Sequence, residues 1–292
     1  MDIVRSIKEI NEKVESFKRQ GKTIGFVPTM GYLHEGHQHL MKTAGEQNDV
    51  VIVSIFVNPL QFGPNEDFDR YPRDEERDKR IAIQEKVDLL FMPSVEEMYP
   101  KDASIQMTVQ SRNDVLCGKK RPGHFNGVVT VLTKLFHLTQ PTRCYFGLKD
   151  AQQVAVIDSL VQDLNFPIDI IAVPTVREED GLAKSSRNVY LSTKEREEAP
   201  SLYQALEAGR KLVVDGERNP DTIVKGVEHY IQTRTSGKID YVELLSYPEL
   251  EPVNQIDGQV ILATAVYFEK ARLIDNVIFQ REGIKSDVTL GG

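Results

Sequence analysis

The feature that most restricts the fold of this 292-residue chain is a nearly continuous apolar run over residues 49–57. Parallel strands covered by helices on both faces have this composition, whereas strands with one solvated face alternate apolar and polar residues. Further strands are predicted at 22–28, 87–92, 143–147 and 167–173. Helices are predicted at 3–19, 34–47, 74–86, 126–139 and 150–163. Strands that alternate with helices predict right-handed βαβ units.

Beyond residue 176 the predicted helices come first and the strands follow. The helices are expected at about 194–214 and 220–235, and the strands at 239–245, 259–268 and 271–278. We therefore predict an α/β protein with a doubly wound (Rossmann-like) parallel sheet and a second, smaller α+β C-terminal domain. The expected domains are a ligand-binding domain over 1–176 and a lid over 177–283, followed by a disordered tail over 284–292. The segment 174–188 could hinge between the domains or belong to either.

Composition and charge argue against several classes of protein. The formal net charge of −8 disfavours a large nucleic-acid footprint, although it leaves room for a local basic pocket. Two cysteines, Cys117 and Cys144, disfavour a disulfide framework and a four-cysteine zinc site. The first ten residues lack the apolar core of a signal peptide, and no stretch has the length of a membrane span. We expect a reduced, cytoplasmic protein.

Two histidines follow the strand predicted at 22–28. His34 and His37 come after a Thr29-Met30-Gly31 turn, at a predicted helix start. Ligands bind at the carboxyl ends of strands in open α/β sheets, and a helix start is a favourable place for a polyphosphate. The H-E-G-H spacing differs from the H-E-x-x-H zinc pattern, which disfavours a metal role. A protonated imidazole here could neutralise charge on a departing phosphate, whereas His39 is expected to be solvated.

Two further segments supply groups that suit a nucleotide. The residues 184–187 read Lys-Ser-Ser-Arg and offer cations and hydroxyls. Gly147 ends a predicted strand and admits a ribose or phosphate near the chain, while Lys149 can reach phosphate oxygens. Asp150 can cap the following helix or bind ribose hydroxyls. Together with the histidines, these segments indicate a nucleotide whose α-phosphate is attacked.

Several motifs resemble those of known enzymes. The segment 34–37 resembles the HIGH signature shared by nucleotidyltransferases and class I aminoacyl-tRNA synthetases, and 184–186 resembles their later lysine/serine loop. From about residue 3 to residue 280 the chain resembles the pantoate–β-alanine ligase family. The matching segments are 28–37, 56–62, 71–73, 121–128, 146–153 and 176–188.

The resemblance implies a reaction in two steps. Pantoate carboxylate attacks the α-phosphate of ATP, which gives pantoyl adenylate and pyrophosphate. The amine of β-alanine then attacks the acyl carbon and AMP leaves. It also implies Mg²⁺, a cytoplasmic homodimer, a place in pantothenate and coenzyme A biosynthesis, and no nucleic-acid or membrane partner.

The resemblance also implies roles for individual residues. His37 is expected to be the catalytic acid or phosphate stabiliser, acting with His34, Lys149 and Arg187. The expected ATP-binding residues are Met30, Gly31, Tyr32, Leu33, His34, Glu35, Gly36, His37, Gly147, Leu148, Lys149, Asp150, Val176, Lys184, Ser185, Ser186 and Arg187. The expected pantoate-binding residues are Gln61, Gln153, Pro28, Met30 and Asn58, and Gln61 is also expected to bind β-alanine.

Side-chain chemistry is compatible with these assignments, although a single glutamine is by itself more often a surface residue, and only the strand-end location and the resemblance favour a place in the site. The amides of Asn58, Gln61 and Gln153 suit a substrate with hydroxyls and a carboxylate. The candidate apolar walls for a gem-dimethyl group are Pro28, Met30, Val129 and Val131, each of which could equally belong to the core.

Other positions leave alternatives open. Lys184 stands where the family commonly has methionine; it could contact phosphate, or turn outward with only its backbone engaged, which we favour. The acidic stretches 66–69 and 74–78 could supply a Mg²⁺ ligand, although most of these charges are expected on a solvated face, and no ligand is named. Arg121 and His124 are assigned to a mobile flap over the site.

Three other functions compete with the ligase. A nucleotidyltransferase would stop after forming a nucleotide adduct and pyrophosphate. A nucleotide-sensing module would bind ATP without chemistry. A tRNA synthetase is disfavoured by the acidic net charge and by the lack of an evident anticodon-binding module.

Overall fold

Six parallel strands form the larger sheet of the computed structural model, which describes residues 1–64, 66–286 and 288. They are β1 (Asp2–Val4), β2 (Ile24–Thr29), β3 (Val50–Ile55), β4 (Leu89–Phe91), β5 (Arg143–Gly147) and β6 (Asp169–Val173). Their order across the sheet is β1-β4-β3-β2-β5-β6. The chain moves outward from β2 through β3 and β4, then returns to the other side of β2. The direction therefore reverses between β2 and β5, where open α/β sheets bind ligands.

Helices cover both faces of this sheet. They are α1 (Ile7–Arg19), α2 (Glu35–Gln47), α3 (Glu75–Gln84), α4 (Val95–Met98), α6 (His124–Thr139) and α7 (Ala151–Asp163). The short helix α5 (Leu116–Lys120) packs instead with strands of the C-terminal part. Val50 and Ile52 of β3 lie in one apolar cluster, while Val51 and Val53 lie in another on the opposite face. Two buried faces explain why the 49–57 run is almost continuously apolar, and the predicted doubly wound sheet is confirmed.

The start of the chain differs from the prediction. Residues 2–4 pair with β4 as a parallel edge strand. Ser6 then caps α1. Its hydroxyl accepts a hydrogen bond from the Glu9 backbone N–H, and the Glu9 carboxylate accepts one from the Ser6 backbone N–H. The predicted helix is therefore wrong over residues 3–6, although Ile3 fits its apolar spacing.

The C-terminal part is α+β, as predicted. Its helices are α8 (Thr193–Glu198), α9 (Ser201–Val214) and α10 (Pro220–Arg234). Its strands, β7 (Lys238–Ser246), β8 (Val260–Tyr267) and β9 (Arg272–Phe279), form an antiparallel sheet in that order. The single helix predicted over 194–214 is two helices, which meet at Pro200.

The segment after β6 is attached to the C-terminal sheet. The Arg177 guanidinium makes two hydrogen bonds, of 2.6 and 2.9 Å, to the Asp275 carboxylate of β9. At the far end of the chain, Lys285 pairs with Phe279 and donates a 2.8 Å hydrogen bond to the Tyr203 hydroxyl. Residues 287 and 289–292 of the predicted tail lie outside the described residues.

Candidate active site

A cavity of about 240 Å³ lies at the carboxyl ends of β2 and β5. It brings together residues from all six of the motif segments, 28–37, 56–62, 71–73, 121–128, 146–153 and 176–188. The predicted residues that line it are Pro28, Met30, His34, Gly36, His37, Asn58, Gln61, Gly147, Lys149, Asp150, Gln153, Val176, Lys184, Ser185, Ser186 and Arg187. His37 and Arg187 thus face one cavity although they are far apart in sequence.

Five predicted ATP-binding residues do not line this cavity: Gly31, Tyr32, Leu33, Glu35 and Leu148. Leu33 is fully buried in the core. The carbonyl oxygen of Leu148 accepts a hydrogen bond of 2.9 Å from the Asn276 amide. These five residues belong to the segments 28–37 and 146–153, several of whose other members line the cavity.

The turn between β2 and α2 depends on a buried carboxylate. Gly31 and Tyr32 have φ of +83° and +49°, in the left-handed region. Asp78 of α3 accepts backbone hydrogen bonds of 2.8 Å from Tyr32 and 2.7 Å from Leu33. Its side chain is only 2% exposed, and this burial raises its pKa. The prediction of a solvated acidic face is wrong for Asp78, which holds the turn.

The two histidines adopt a defined tautomer. His34 caps α2, and its Nδ1 accepts a 3.1 Å hydrogen bond from the Gly36 N–H. The Nδ1 of His37 accepts a 3.2 Å hydrogen bond from the His34 N–H. Because Nδ1 accepts in both rings, a neutral imidazole carries its proton on Nε2. Each ring is therefore a hydrogen-bond donor through Nε2.

Both imidazoles are uncharged near neutral pH. Burial and the neighbouring Lys149 and Arg77 lower the pKa of His34 to about 4. Burial, the adjacent His34 and Lys149 lower the pKa of His37 well below its ordinary value. Desolvation and nearby cations both oppose the charged ring, so these surroundings do not favour the protonated imidazole that the sequence suggested. His39 is exposed, as predicted.

Two cations of the cavity are paired with carboxylates. Arg187 donates from Nε and from one terminal nitrogen to Asp67, at 3.0 Å each. Lys149 Nζ lies 3.3 Å from the Asp150 carboxylate. Asp67 belongs to the acidic stretch 66–69, most of which was expected to be solvated. At this position the carboxylate instead forms an ion pair with Arg187.

Lys184 is held by two acidic residues. Its Nζ lies 3.1 Å from Glu35 and 2.7 Å from Glu178. Its backbone N–H also donates to the carbonyl oxygen of Val176 at 2.9 Å. The backbone of Lys184 is thus engaged as expected, but its side chain is not turned outward, since the ammonium group lies between two carboxylates at the cavity.

The two serines organise the loop that carries Arg187. Ser185 Oγ accepts a hydrogen bond of 3.3 Å from the Arg187 N–H. Ser186 Oγ donates a 3.3 Å hydrogen bond to the carbonyl oxygen of Tyr32. This second bond joins the loop of residues 184–187 directly to the histidine turn, which comprises residues 29–37.

The pantoate candidates lie beside the histidine turn. Gln61 ends a short 3₁₀ turn, Pro59–Gln61, which packs so closely on α6 that a Cβ at Gly127 would lie 2.2 Å from the Leu60 carbonyl oxygen. Among the candidate apolar walls, Pro28, Met30 and Val131 line the cavity. Val129 does not line it and is buried in the core.

A polar network connects Gln61 to Arg121. Arg121 Nε donates to Glu66 at 2.7 Å, and another guanidinium nitrogen lies 3.0 Å from His124 Nε2. Because Arg121 can only donate, His124 Nε2 accepts, and its Nδ1–H donates to the Gln61 carbonyl oxygen at 2.8 Å. Burial and Arg121 lower the pKa of His124 to about 4. Arg121 and His124 also line a second cavity of about 730 Å³.

The described part of the chain contains no group of three or more His, Cys, Asp or Glu side chains placed to hold a metal ion. Over the same residues, none of the helices has the length and apolarity needed to cross a membrane.

Comparisons of sequence and of structure with known proteins agree on one enzyme family. The family model for pantoate–beta-alanine ligase matches residues 2–278. A pantothenate synthetase from Geobacillus sp. (strain WCH70) is 63% identical over 277 residues, which cover 95% of this chain and 98% of the relative. The pantothenate synthetase structure from Thermus thermophilus has a TM-score of 0.91 and 44% identity, covering 97% of this chain and 100% of its own. A pantoate–beta-alanine ligase from Francisella tularensis, complexed with beta-gamma ATP and beta-alanine, has a TM-score of 0.77 and 37% identity over 97% of this chain and 98% of its own.

Proposed function

The chain belongs to the pantoate–β-alanine ligase family, and we propose that it condenses (R)-pantoate with β-alanine through a pantoyl adenylate. In the first step the pantoate carboxylate attacks the α-phosphate of ATP and pyrophosphate leaves. In the second step the β-alanine amine attacks the acyl carbon, an amide forms and AMP leaves. The adenylate is needed because a free carboxylate is a poor acyl donor.

One observation carries this proposal. The histidine turn lines the same cavity as Lys149, Lys184 and Arg187. A triphosphate requires several cations and hydrogen-bond donors converging on one place. The cavity also has an apolar side, lined by Val128, Val131, Leu132 and Leu135, which suits the aliphatic body of pantoate.

The histidines and cations have separate tasks in this mechanism. Negative charge grows on the departing pyrophosphate during adenylation, so catalysis depends on positioning and electrostatic stabilisation. Lys149, Lys184 and Arg187 supply formal positive charge. His37 and His34 supply oriented Nε2–H donors, because their Nδ1 atoms accept backbone hydrogen bonds.

Gln61 and Gln153 are assigned to pantoate. Both amides line the cavity, where they can pair with hydroxyl and carboxylate oxygens. Pro28 and Met30 lie on the same cavity and can contact the gem-dimethyl group. Gln61 is also assigned to β-alanine, whose amine must reach the same acyl group.

The donor set fits Mg²⁺ carried by the nucleotide. Mg²⁺ keeps several waters and binds substrate phosphates with one or two carboxylates rather than a protein cage. Asp150 lines the cavity beside Lys149 and could provide one such carboxylate. When bound, Mg²⁺ would neutralise phosphate charge and orient the phosphates.

The proposal extends to organisation in the cell. We assign residues 1–176 to the nucleotide- and pantoate-binding domain and residues 177–283 to a lid. We also propose that the protein is a homodimer and that it is cytoplasmic. In support of a second copy, the apolar side chain of Ile105 is 81% exposed, whereas Met107 and Val109 of the same stretch pack against the core. In support of a reducing compartment, Cys117 and Cys144 are both free thiols.

The proposal is tested by following each half-reaction. With ATP and pantoate alone, we expect exchange of labelled pyrophosphate into ATP. Adding β-alanine should release AMP and an amide product in equal amounts. A nucleotidyltransferase would show exchange without the amide, and a nucleotide sensor would bind ATP with no exchange; either result would reject the ligase.

A further inference from the structure

We propose that Tyr99 and Asn58 are positioning residues that fix the direction of the Gln61 amide, and that neither contacts the substrate. The inference rests on the proposed function, which assigns Gln61 to pantoate. Tyr99 O–H donates to Asn58 Oδ1 at 2.9 Å, and Asn58 Nδ2 donates to Gln61 Oε1 at 3.2 Å. Gln61 Nε2 in turn donates to the Met30 sulfur at 3.2 Å. The three hydrogen bonds run in one direction, toward the cavity.

Asn58 has no hydrogen-bonding capacity left for pantoate. Its Oδ1 accepts from Tyr99 and from the Leu60 N–H at 3.3 Å. Its Nδ2 donates to Gln61 and to the Gly127 carbonyl oxygen at 3.1 Å. A side-chain amide has two N–H donors and two oxygen lone pairs, so all four are used. The side chain is also buried, at 1% exposure, although it was predicted to bind pantoate.

Backbone groups determine which end of the Asn58 amide is oxygen. The Leu60 N–H can only donate and the Gly127 carbonyl can only accept, so the amide cannot be reversed without losing both bonds. The NH₂ group of Asn58 therefore faces Gln61. Gln61 must turn its oxygen toward it, which directs its own NH₂ group to the Met30 side of the cavity.

This orientation makes Gln61 a hydrogen-bond donor to the substrate. The Met30 thioether is a weak acceptor, which a hydroxyl or carboxylate oxygen of pantoate can replace at little cost. If Gln61 were reversed, its carbonyl oxygen would repel a carboxylate oxygen and could only accept a hydrogen bond from a hydroxyl. The direction of one amide therefore decides which substrate oxygens Gln61 can bind.

Tyr99 completes the arrangement from the protein side. Its ring packs 6.0 Å from the Phe56 ring, and Lys134 Nζ lies 5.5 Å from its centre. Burial raises the pKa of the Tyr99 hydroxyl, which keeps its proton and remains a donor. The main chain of Gln61 is held separately, since its carbonyl oxygen accepts from His124 at 2.8 Å and from Arg121 at 3.3 Å. Loss of the Tyr99 hydroxyl should therefore affect the Gln61 side chain more than the turn.

A double-mutant cycle tests the inference. Tyr99→Phe should raise the pantoate KM about three- to tenfold, the effect of one net hydrogen bond, with kcat little changed. In a Gln61→Ala background the same substitution should change the pantoate KM by less than about twofold, because its effect passes through the missing amide. Tyr247→Phe is the matched control: it removes another buried hydroxyl, which donates to the Ala151 carbonyl oxygen at 3.2 Å.

Asn58→Asp sharpens the test. It would place an oxygen against both Gln61 Oε1 and the Gly127 carbonyl, so the pantoate KM should rise more than in Tyr99→Phe; Tyr99→Phe carries the test alone if this variant does not fold. Full additivity of Tyr99→Phe and Gln61→Ala would overturn the inference, as would an equal effect of Tyr247→Phe. Such results in an enzyme that makes pantothenate would leave the proposed function standing, whereas an inactive wild-type enzyme would reject that function itself.

Discussion

The histidine turn (residues 29–37) and the cation loop (residues 184–187) face the same cavity but are stabilised differently. The turn is held by backbone hydrogen bonds to Asp78 and by the two imidazoles that cap α2. The loop is held by ion pairs across the cleft, from Arg187 to Asp67 and from Lys184 to Glu35. The histidine turn thus presents neutral, oriented N–H donors. The cation loop presents positively charged groups that are already paired with carboxylates.

We expect this difference to separate catalysis from binding. Donors fixed by their own backbone are ready for charge that appears during the reaction and need no rearrangement. A phosphate that binds Arg187 must share its guanidinium group with the Asp67 carboxylate or displace that carboxylate. The strength of the ion pair therefore affects the affinity for ATP. We therefore expect changes in the turn to lower kcat and changes in the loop to raise the KM for ATP.

The largest effect is expected for His37→Ala. Loss of an oriented donor to developing charge should lower pantoate-dependent pyrophosphate exchange by about 10²- to 10³-fold while the protein stays folded. The matched control is His39→Ala, which removes an exposed imidazole from the same helix. Exchange at the wild-type rate in His37→Ala would refute the role assigned to this residue.

Arg187→Ala should act mainly on nucleotide binding. A charge-assisted hydrogen bond is worth about 1.5–3 kcal/mol, so the KM for ATP should rise about 10- to 100-fold. Arg196→Ala removes an arginine that pairs with Asp180 and does not line the cavity, and it serves as the control. If Arg187→Ala lowered kcat and left the KM for ATP unchanged, the division between turn and loop would be wrong.

Asp78→Asn should weaken the turn. One of two backbone N–H groups would lose its carboxylate acceptor, and the free energy of unfolding should fall by about 1–3 kcal/mol. Urea denaturation measures this change, with Glu76→Gln as the control because Glu76 is 76% exposed on the same helix. Equal stability of the two variants would show that the buried carboxylate does not hold the turn.

The smallest effect is on the pH dependence of stability. His34 has its pKa lowered to about 4 from an ordinary 6.5, so the unfolded chain takes up the proton first. The free energy of unfolding therefore falls as the pH drops through this window, and the contribution is fully present above about pH 6.5. Denaturation at about pH 7.5 and about pH 5 should show a smaller loss in His34→Gln than in the wild type. An identical loss would mean that this ring is not desolvated.

Periodicity was sufficient to predict most of the fold. The long apolar and amphipathic segments, such as β3 and α9, carry their signal locally. Strand β1 does not, because Ile3 suits a helix with Ile7 and Ile10, and only pairing with β4 far along the chain makes it a strand. Pro200 was visible in the sequence, yet the continuing apolar spacing concealed the break that it causes between α8 and α9.

Most of the residues predicted for the site line one cavity, whereas their charges and hydrogen bonds were predicted less well. Residue types and strand ends located the histidines, Lys149 and Arg187. The sequence could not show that burial neutralises the histidines, because desolvation depends on the surrounding fold. The same applies to Asp78, which lies in a charged helix and resembles its solvated neighbours. Likewise, Asn58 resembles a ligand until its four hydrogen-bonding positions are all accounted for.

The ion pair between Arg177 and Asp275 has a mechanical consequence. It attaches the beginning of the cation-bearing segment to the β9 edge of the C-terminal sheet, and the Arg177 guanidinium also lies 3.6 Å from the centre of the Tyr203 ring. A rotation of the C-terminal sheet would pull on the segment that bears Lys184 and Arg187, against the ion pairs from these two residues to Glu35 and Asp67. If residues 177–283 act as the lid that we propose, its movement and the position of these two positive charges would be coupled.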